Sequence, residues 1–416
     1  MSERMNLTES QQGVNVAAPA ACADDRPGIA FIAPQQTPYR VHFALRMYRE
    51  VPQVKFWSVF THEFAVNRWK IDSPAEVNYV QFGAGEFCEN QDKPAYALRE
   101  WRRGGRIIRW MDQNNIRAVV VLGYNDPARL RVIRWARRRK IPLFLWGDSN
   151  IRGDLARGAK AIAKRLFVRW IIRQLDACLA CGSLGRQYFE KYGAAPEKIY
   201  YMPVEPDYDL IASVPADRIE QILQQYNWSR QRRRMVFSAR ITRVKRPDLM
   251  IDAFCEIASR RENWDLVMLG TGDLASQMQA RVPEELRRRV TFTGFVDGQE
   301  KVSAIYRCCD LLVLPSDYEP WALVVNEAAA AGLALVTSDV VGASPELVRE
   351  GVNGFTFPVG NRAALVETLL RVTEEPTIDR FKAASPQVLA EWRRTGDPVA
   401  GLRQALVDHG VLPKRR

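Results

Sequence analysis

The stretch DLLVLPSDYEPWALVVNEAAAAG, residues 310–332, is an apolar strand, a polar turn and an alanine-rich helix in direct succession. A strand that is apolar at every position is buried on both faces, the condition of a parallel sheet covered by helices. The scheme recurs to either side in MVFSAR (235–240), DLVMLGTG (265–272), VTFTGF (290–295) and LALVTSD (333–339), with helix-period segments between. It recurs again in the first half as GIAFIAP (28–34), VKFWSVF (54–60), RAVVVLG (117–123), IPLFLWG (141–147) and DACLACG (176–182). Strands alternating with helices give βαβ units, so the expected fold is α/β with two doubly wound parallel sheets. The proline-bearing segment YMPVEPDYDLIASVP (201–215), poor in helix formers, reads as the connection between them. The expected division is a disordered tail over 1–25, an N-terminal α/β domain over 26–205, a second over 206–390, and a helical segment over 391–416 that packs back on the first domain.

A chain of 416 residues, 47% hydrophobic and 26% charged, has apolar mass for two cores and polar surface to solvate them. No apolar run is long enough to span a bilayer, and the first 25 residues lack the basic-then-apolar layout of a secretory signal, so the expectation is a cytoplasmic protein. Seven scattered cysteines suit buried thiols better than a disulfide framework. Cys178 and Cys181 form a CxxC, but no second pair accompanies it and no metal is expected there. The net charge of +12 is unevenly placed. Residues 1–200 hold 32 Lys/Arg against 19 Asp/Glu, while residues 201–416 hold 28 against 29. The excess is densest over 101–173, where only Asp112, Asp126, Asp148 and Asp154 oppose 19 basic residues. Such an imbalance on one half points to an anionic partner surface. No recognised nucleic-acid module goes with it, so nucleic acid is not the expected partner.

Within 310–332, Glu319 lies in the turn and Glu327 stands eight positions further on, little more than two helical turns. Both carboxylates can face one groove and grip hydroxyls at two ends of a ligand. The N–H groups of Ala322, Leu323 and Val324 open the helix and favour a phosphate or sugar oxygen, whereas Pro320 has no N–H to offer. Taken singly, Glu319 is a helix-terminus acid and Glu327 a solvated surface charge. Valines before Glu327 and alanines after it argue otherwise, because a carboxylate in so apolar a helix needs a ligand or a partner.

These residues resemble a known family, the retaining glycosyltransferases of family 4, whose GT-B fold has two facing Rossmann-like domains. Glu319 and Glu327 match its E-x7-E motif, and the likeness runs through PSDYEPWALVVNEAAAAG and VTSDVVGASPELVREGVNGFTFPVGN in 315–361. It extends upstream through FSARITRVKRPDLMIDAF (237–254), LVMLGTGDL (266–274) and VTFTGFVDG (290–298). The resemblance implies a nucleotide-sugar donor in the second domain and an acceptor in the first. It assigns Arg240 and Lys245 to the donor diphosphate, Glu327 to the ribose diol, and Glu319 to the donor sugar. It places Gly270 and Gly272 where backbone comes close to the donor, and Val296 beside Phe295 at the nucleobase. Two fixed cations can neutralise a departing diphosphate, so neither metal nor cofactor is implied.

The chain departs from the family in two places. It has PQQTPYR (34–40) where many members carry paired glycines, and LFLWGDSNIRGD (143–154) where many carry a histidine near the donor sugar. Arg40, His42, Asp148 and Asn150 are therefore the candidates on the acceptor side, with Asp148, Ser149 or Asn150 as substitutes for that histidine. Asp207-Tyr208-Asp209 imitates a D-x-D metal site of another glycosyltransferase fold, but it lies in the connection and is not read as a metal site. The function implied is retaining, metal-independent transfer of a hexosyl group to a glycan or lipid-linked hydroxyl, in cell-surface polysaccharide or glycolipid synthesis. The alternatives are a sugar-nucleotide epimerase or hydrolase on the same plan, and a non-catalytic nucleotide-sugar-binding protein. In LARGAKAIAKRLFVRWIIR (155–173), Leu155, Ala159, Ile162, Leu166 and Trp170 read as a core-facing stripe. The basic residues of 129–173 then read as a surface that docks the enzyme peripherally on an anionic cytoplasmic leaflet.

Overall fold

The computed structural model describes residues 15–17, 25–64, 71 and 74–414. Most of the expected tail, with Cys22, lies outside the described residues. Each apolar run becomes a strand. The first sheet contains β1 (Asn15–Ala17), β2 (Gly28–Ala33), β3 (Lys55–Phe60), β4 (Asn78–Gln81), β5 (Ile116–Leu122), β6 (Leu143–Gly147), β7 (Ala177–Ala180) and β8 (Ile199–Tyr201). Their order across the sheet is β1-β4-β3-β2-β5-β6-β7-β8. The pairs joining β4, β3, β2, β5 and β6 are parallel, while β1 runs antiparallel to β4. Isoleucines and valines of β2 and β5 are sealed from water, which leaves these strands no polar face and accounts for their continuous apolar spelling.

The second sheet contains β9 (Arg233–Ser238), β10 (Trp264–Leu269), β11 (Val290–Gly294), β12 (Leu311–Leu314), β13 (Ala334–Ser338) and β14 (Gly354–Phe357), in the order β11-β10-β9-β12-β13-β14. All five of its pairings are parallel. Phe237, Phe254, Trp264, Leu311, Val336, Leu369 and Phe381 fill its core. The expected α/β class with two parallel wound sheets is therefore correct. Strands β1, β4, β8 and β14 were not among the expected ones; each is only three or four residues long.

In each sheet the chain winds outward from one strand, returns, and winds the other way. The reversal falls between β2 and β5 in the first sheet and between β9 and β12 in the second. Loops leaving neighbouring strands on opposite sides of such a reversal diverge and open a crevice, where ligands of open parallel sheets bind. The chain divides into two compact units. The first comprises Met1–Trp146, Arg173–Cys178 and Arg403–Arg416, and the second Gly147–Ile172 and Leu179–Leu402. No described helix is long and apolar enough to cross a membrane.

One expected packing is reversed. In the helix Gly158–Ile172 it is Val168, Ile171 and Ile172 that are buried. The apolar stripe faces outward instead, with Leu155 72%, Ile162 64%, Leu166 66% and Trp170 51% exposed. Periodicity marks an apolar face but not what covers it. The other side of this helix holds enough aliphatic surface at its C-terminal end to serve as the packed face.

Candidate active site

The reversal point of the second sheet collects charged side chains from two loops. The loop after β9 carries Arg240 and ends in the short turn Arg243–Lys245; the loop after β12 carries Glu319 and enters the helix Leu323–Ala330. Lys245 Nζ donates to Glu319 Oε1 at 2.6 Å, and Ser316 Oγ donates to the same oxygen at 3.0 Å. Glu319 is held from behind as well, since Gly342 N donates to its carbonyl at 3.1 Å and a parallel bridge ties it to Val341. Gly342 is required there, because a Cβ would sit 1.9 Å from the carbonyl of Pro320. Glu319 is thus a buried, ion-paired loop residue and not a helix-terminus acid. Arg240 is exposed, and among the described residues its guanidinium makes no hydrogen bond or ion pair.

Glu327 is also buried, so the solvated reading fails for it. Tyr306 Oη donates to Glu327 Oε2 at 3.2 Å and lies 2.7 Å from Ser238 Oγ. Burial pushes the Glu327 carboxyl up to about 7, with hydrogen bonds from Gln299 and Tyr306 pulling the other way. A carboxylate whose donors only partly replace water is poised to accept more hydrogen bonds, such as those of a vicinal diol. Sequence reasoning missed Tyr306, Ser238, Gln299 and Ser316. Only Ser316 carried a signal, three positions before Glu319 in the polar turn.

The two glycines permit a close approach of backbone to backbone. A Cβ on Gly270 would lie 2.2 Å from the Ala239 carbonyl, and one on Gly272 would lie 2.4 Å from that of Ile241. They let the loop after β10 press against the loop that carries Arg240. Gly270 also sits at φ +135°, which residues with a Cβ rarely adopt. Ala322 heads the helix at φ +80° without being glycine, a strain of roughly 1–2 kcal/mol. Its N–H and those of Leu323 and Val324 precede the first intrahelical bond, Val325 N to Ala322 O at 3.0 Å, and among the described residues they are left for another acceptor. Val296 is half-buried beside exposed Phe295 in the loop after β11.

Of the two second-unit candidates on the acceptor side, Asn150 is buried and Asp148 exposed. Asn150 Nδ2 donates to the carbonyls of Glu319 and Pro320 at 2.8 and 3.0 Å, and its Oδ1 accepts from Gly153 N at 2.9 Å. Its amide therefore positions the backbone of the Glu319 loop. Tyr318 flanks the same segment, its hydroxyl pushed up by burial and then by Asp148, Glu319 and Asp154. Arg40 and His42 belong to the first unit, on the first turns of the helix Pro38–Glu50, where Arg40 is buried and His42 half-buried. Asp207 caps a short helix by accepting from Leu210 N at 3.0 Å, which gives the D-x-D pattern a structural role. Among the described residues the one cluster with metal-ligand chemistry is His62, Glu86 and Glu100. The buried Arg103 guanidinium already bonds all three, so a cation is supplied there by the protein.

The fold and this site define an α/β protein of the GT-B kind. Residues 218–387 match the family described as Glycosyl transferases group 1. Over 121 residues, 29% of this chain and 30% of the relative, it is 36% identical to an uncharacterized glycosyltransferase of Methanocaldococcus jannaschii. Over 237 residues it is 26% identical to D-inositol 3-phosphate glycosyltransferase 1 of Catenulispora acidiphila, covering 54% of this chain and 56% of that one. The chain spans about half or less of the length of the curated relatives it matches. Among solved structures, Anabaena HepE in complex with UDP and glucose covers 93% of this chain and 100% of its own, with a TM-score of 0.69 at 16% identity. Sucrose-phosphate synthase from Thermosynechococcus elongatus covers 93% and 99%, with a TM-score of 0.70 at 14% identity. These likenesses are of fold.

Proposed function

We propose that the protein is a retaining, metal-independent glycosyltransferase that moves a hexosyl group from a nucleoside-diphosphate sugar to a hydroxyl of a glycan or lipid-linked acceptor. The observation that carries this reading is the pairing of Lys245 with Glu319 at 2.6 Å at the reversal point where buried Glu327 also stands. Glu327 accepts the ribose hydroxyls. Lys245, Arg240 and the N–H groups of Ala322, Leu323 and Val324 receive the diphosphate, and their positive potential stabilises the charge that builds as it departs. On this reading the Lys245–Glu319 contact is a resting arrangement: the ammonium turns to phosphate and frees Glu319 for the sugar hydroxyls. The bond from the anomeric carbon to the phosphate oxygen breaks, the acceptor oxygen bonds that carbon on the same face, and the acceptor proton passes to the leaving phosphate. No protein base is needed.

The anionic-surface reading takes a more specific form on the helix Gly158–Ile172. Its outward apolar residues lie among Arg157, Lys160, Arg165 and Arg169, the composition of an interfacial helix. We assign it to docking on an anionic leaflet, in keeping with glycolipid or surface-polysaccharide synthesis. The test of the activity is incubation with a panel of nucleoside-diphosphate hexoses, with and without an acceptor extract, reading nucleoside diphosphate release and the anomeric proton coupling of the product. Acceptor-dependent release with retained configuration is expected. Release indifferent to acceptor points to a hydrolase, and an altered nucleotide sugar to an epimerase; either overturns the transferase reading.

A further inference from the structure

The crevice between β2 and β5 is topologically equivalent to the one between β9 and β12, yet the acceptor expected in the first domain has been given no chemistry there. The loops leaving its two strands lead into the helices Pro38–Glu50 and Pro127–Arg139, each with a buried arginine in its first turn, Arg40 and Arg129. Buried guanidinium groups elsewhere in this protein are well occupied. Arg103 bonds Glu86, Glu100 and His62, and Arg234 gives both terminal nitrogens to the carbonyls of Ser229 and Cys308. Arg40 and Arg129 are not. Among the described residues the Arg40 guanidinium meets no carboxylate; Nη1 donates to the Gln35 carbonyl, and the group lies 5.4 Å from the centre of the Tyr39 ring. Arg129 uses Nη1 on Asp126 and Gln91, leaving Nε and Nη2 buried without acceptors. An unpartnered Nε is shared with Arg103 and Arg234 and decides nothing; among the described residues, the idle Nη2 of Arg129 and the lack of a carboxylate at Arg40 set this pair apart.

Two further groups converge there. Thr37 heads the first helix, yet its Oγ1 caps nothing and, among the described residues, is buried without a partner, as is Oε1 of Gln35. Arg129 Nη1 donates to Gln91 Oε1 at 3.0 Å, and Gln91 N donates to the Cys88 carbonyl at 3.2 Å; both arginines oppose the upward push that burial and Glu89 exert on the Cys88 thiol, which stands at about 11. Asp126 already caps the N-terminus of the second helix, so two guanidinium groups, the open N-terminus of the first helix and an unused hydroxyl, carried by loops that leave neighbouring strands, make the socket for a small multivalent oxyanion.

We infer that the reversal point of the first sheet is an anion subsite, in which Arg40 and Arg129 grip the phosphate or carboxylate of an acidic acceptor sugar. This rests on the transferase reading for the word acceptor; the binding itself does not. It narrows the acceptor to a sugar bearing a negative charge, and it gives the basic half of the chain a specific task distinct from surface attraction.

Cys88 supplies a local reporter. The full-length protein, without nucleotide, is treated with a maleimide at constant ionic strength in the presence of glucose 6-phosphate, glucuronate or neutral glucose, and labelling of each cysteine is followed by peptide mass spectrometry. At millimolar ligand, one or both charged sugars are expected to slow Cys88 labelling by about threefold or more, with Cys255 unaffected and glucose without effect. Arg40→Gln and Arg129→Gln should each remove the protection, and Arg40→Lys should retain part of it if the Gln variant folds poorly. Equal labelling with all three sugars, or equal protection by glucose, overturns the subsite. Nucleoside diphosphate binding measured on the same samples reports the second-sheet site separately, so loss of one reading is distinguishable from loss of the other.

Discussion

Glu327 shows how a single side chain is set by its surroundings. Its helix supplies valines, alanines and the buried Asn326 around it, and the structure closes that shell, leaving Tyr306 Oη and Gln299 to replace water. The consequence is a carboxyl that ionises near pH 7 in the unliganded protein. Because its folded value is raised above 4.5, the folded state holds this proton more tightly than the unfolded chain. The associated stability is present at low pH and is lost as pH rises through about 7. Glu327→Gln, neutral at every pH, removes that dependence. Its melting temperature relative to wild type is expected to climb between pH 5 and pH 8, the limit being about 3 kcal/mol; a constant difference across that range contradicts the buried-carboxyl account. Activity should move the opposite way. Glu327→Ala and Lys245→Ala are each expected to lower turnover by about a hundredfold, the equivalent of roughly 3 kcal/mol for a charged contact in a site closed to water. Near-normal turnover in either variant, measured by nucleoside diphosphate release, is the contrary result.

At the scale of elements, the loops after β9, β10 and β12 are held in register by glycine contacts and by one amide. Gly272→Ala drives a Cβ to 2.4 Å from the Ile241 carbonyl, and the loop carrying Arg240 must yield. We expect a loss of roughly 2 kcal/mol or more in unfolding free energy and a matching fall in donor affinity, read by denaturant titration and calorimetry. Asn150→Ala deletes two hydrogen bonds to the Glu319–Pro320 backbone. As Asn150 acts through the loop, turnover should fall about tenfold with little change in donor binding; a change confined to donor affinity would show that it touches the donor instead. These elements also show what the sequence could and could not tell. β2, β5, β9 and β12 were legible because strands buried on both faces spell continuous apolar runs. β8 and β14 were not, being three or four residues long and half-buried. Glu319, Glu327 and Lys245 were legible from spacing and resemblance. Tyr306 was not, because nothing in QEKVSAIYR separates an aromatic that fills core from one whose hydroxyl bridges Ser238 to Glu327. The outward face of Gly158–Ile172 was misread because an amphipathic pattern states that a face is apolar and not whether protein covers it.

Over the whole molecule the charge is lopsided, and the structure divides it among uses. Asp154 takes Lys164 and Lys191, and Asp112 takes Arg139, yet among the described residues most of the basic run over 101–173 meets no acid. Leu166 and Trp170, near its end in the sequence, are exposed. Co-sedimentation with anionic vesicles is expected at low salt and should weaken as salt shortens the Debye length from about 30 Å to about 8 Å, at roughly 1 kcal/mol per basic residue near the surface. Leu166→Glu with Trp170→Glu should abolish it while leaving the melting temperature unchanged; binding indifferent to that pair, or absent from wild type, removes the membrane assignment and leaves the donor site untouched. The central claim is that the loops after β9 and β12 bind a nucleoside-diphosphate sugar through protein cations and Glu327. Its most direct measurement is isothermal calorimetry of UDP, GDP and ADP in EDTA, on wild type and on Glu327→Ala. The account predicts that at least one nucleotide binds wild type without added metal and binds the variant at least tenfold more weakly, for loss of about 1.4 kcal/mol or more; no binding to wild type, or equal binding to both proteins, contradicts it.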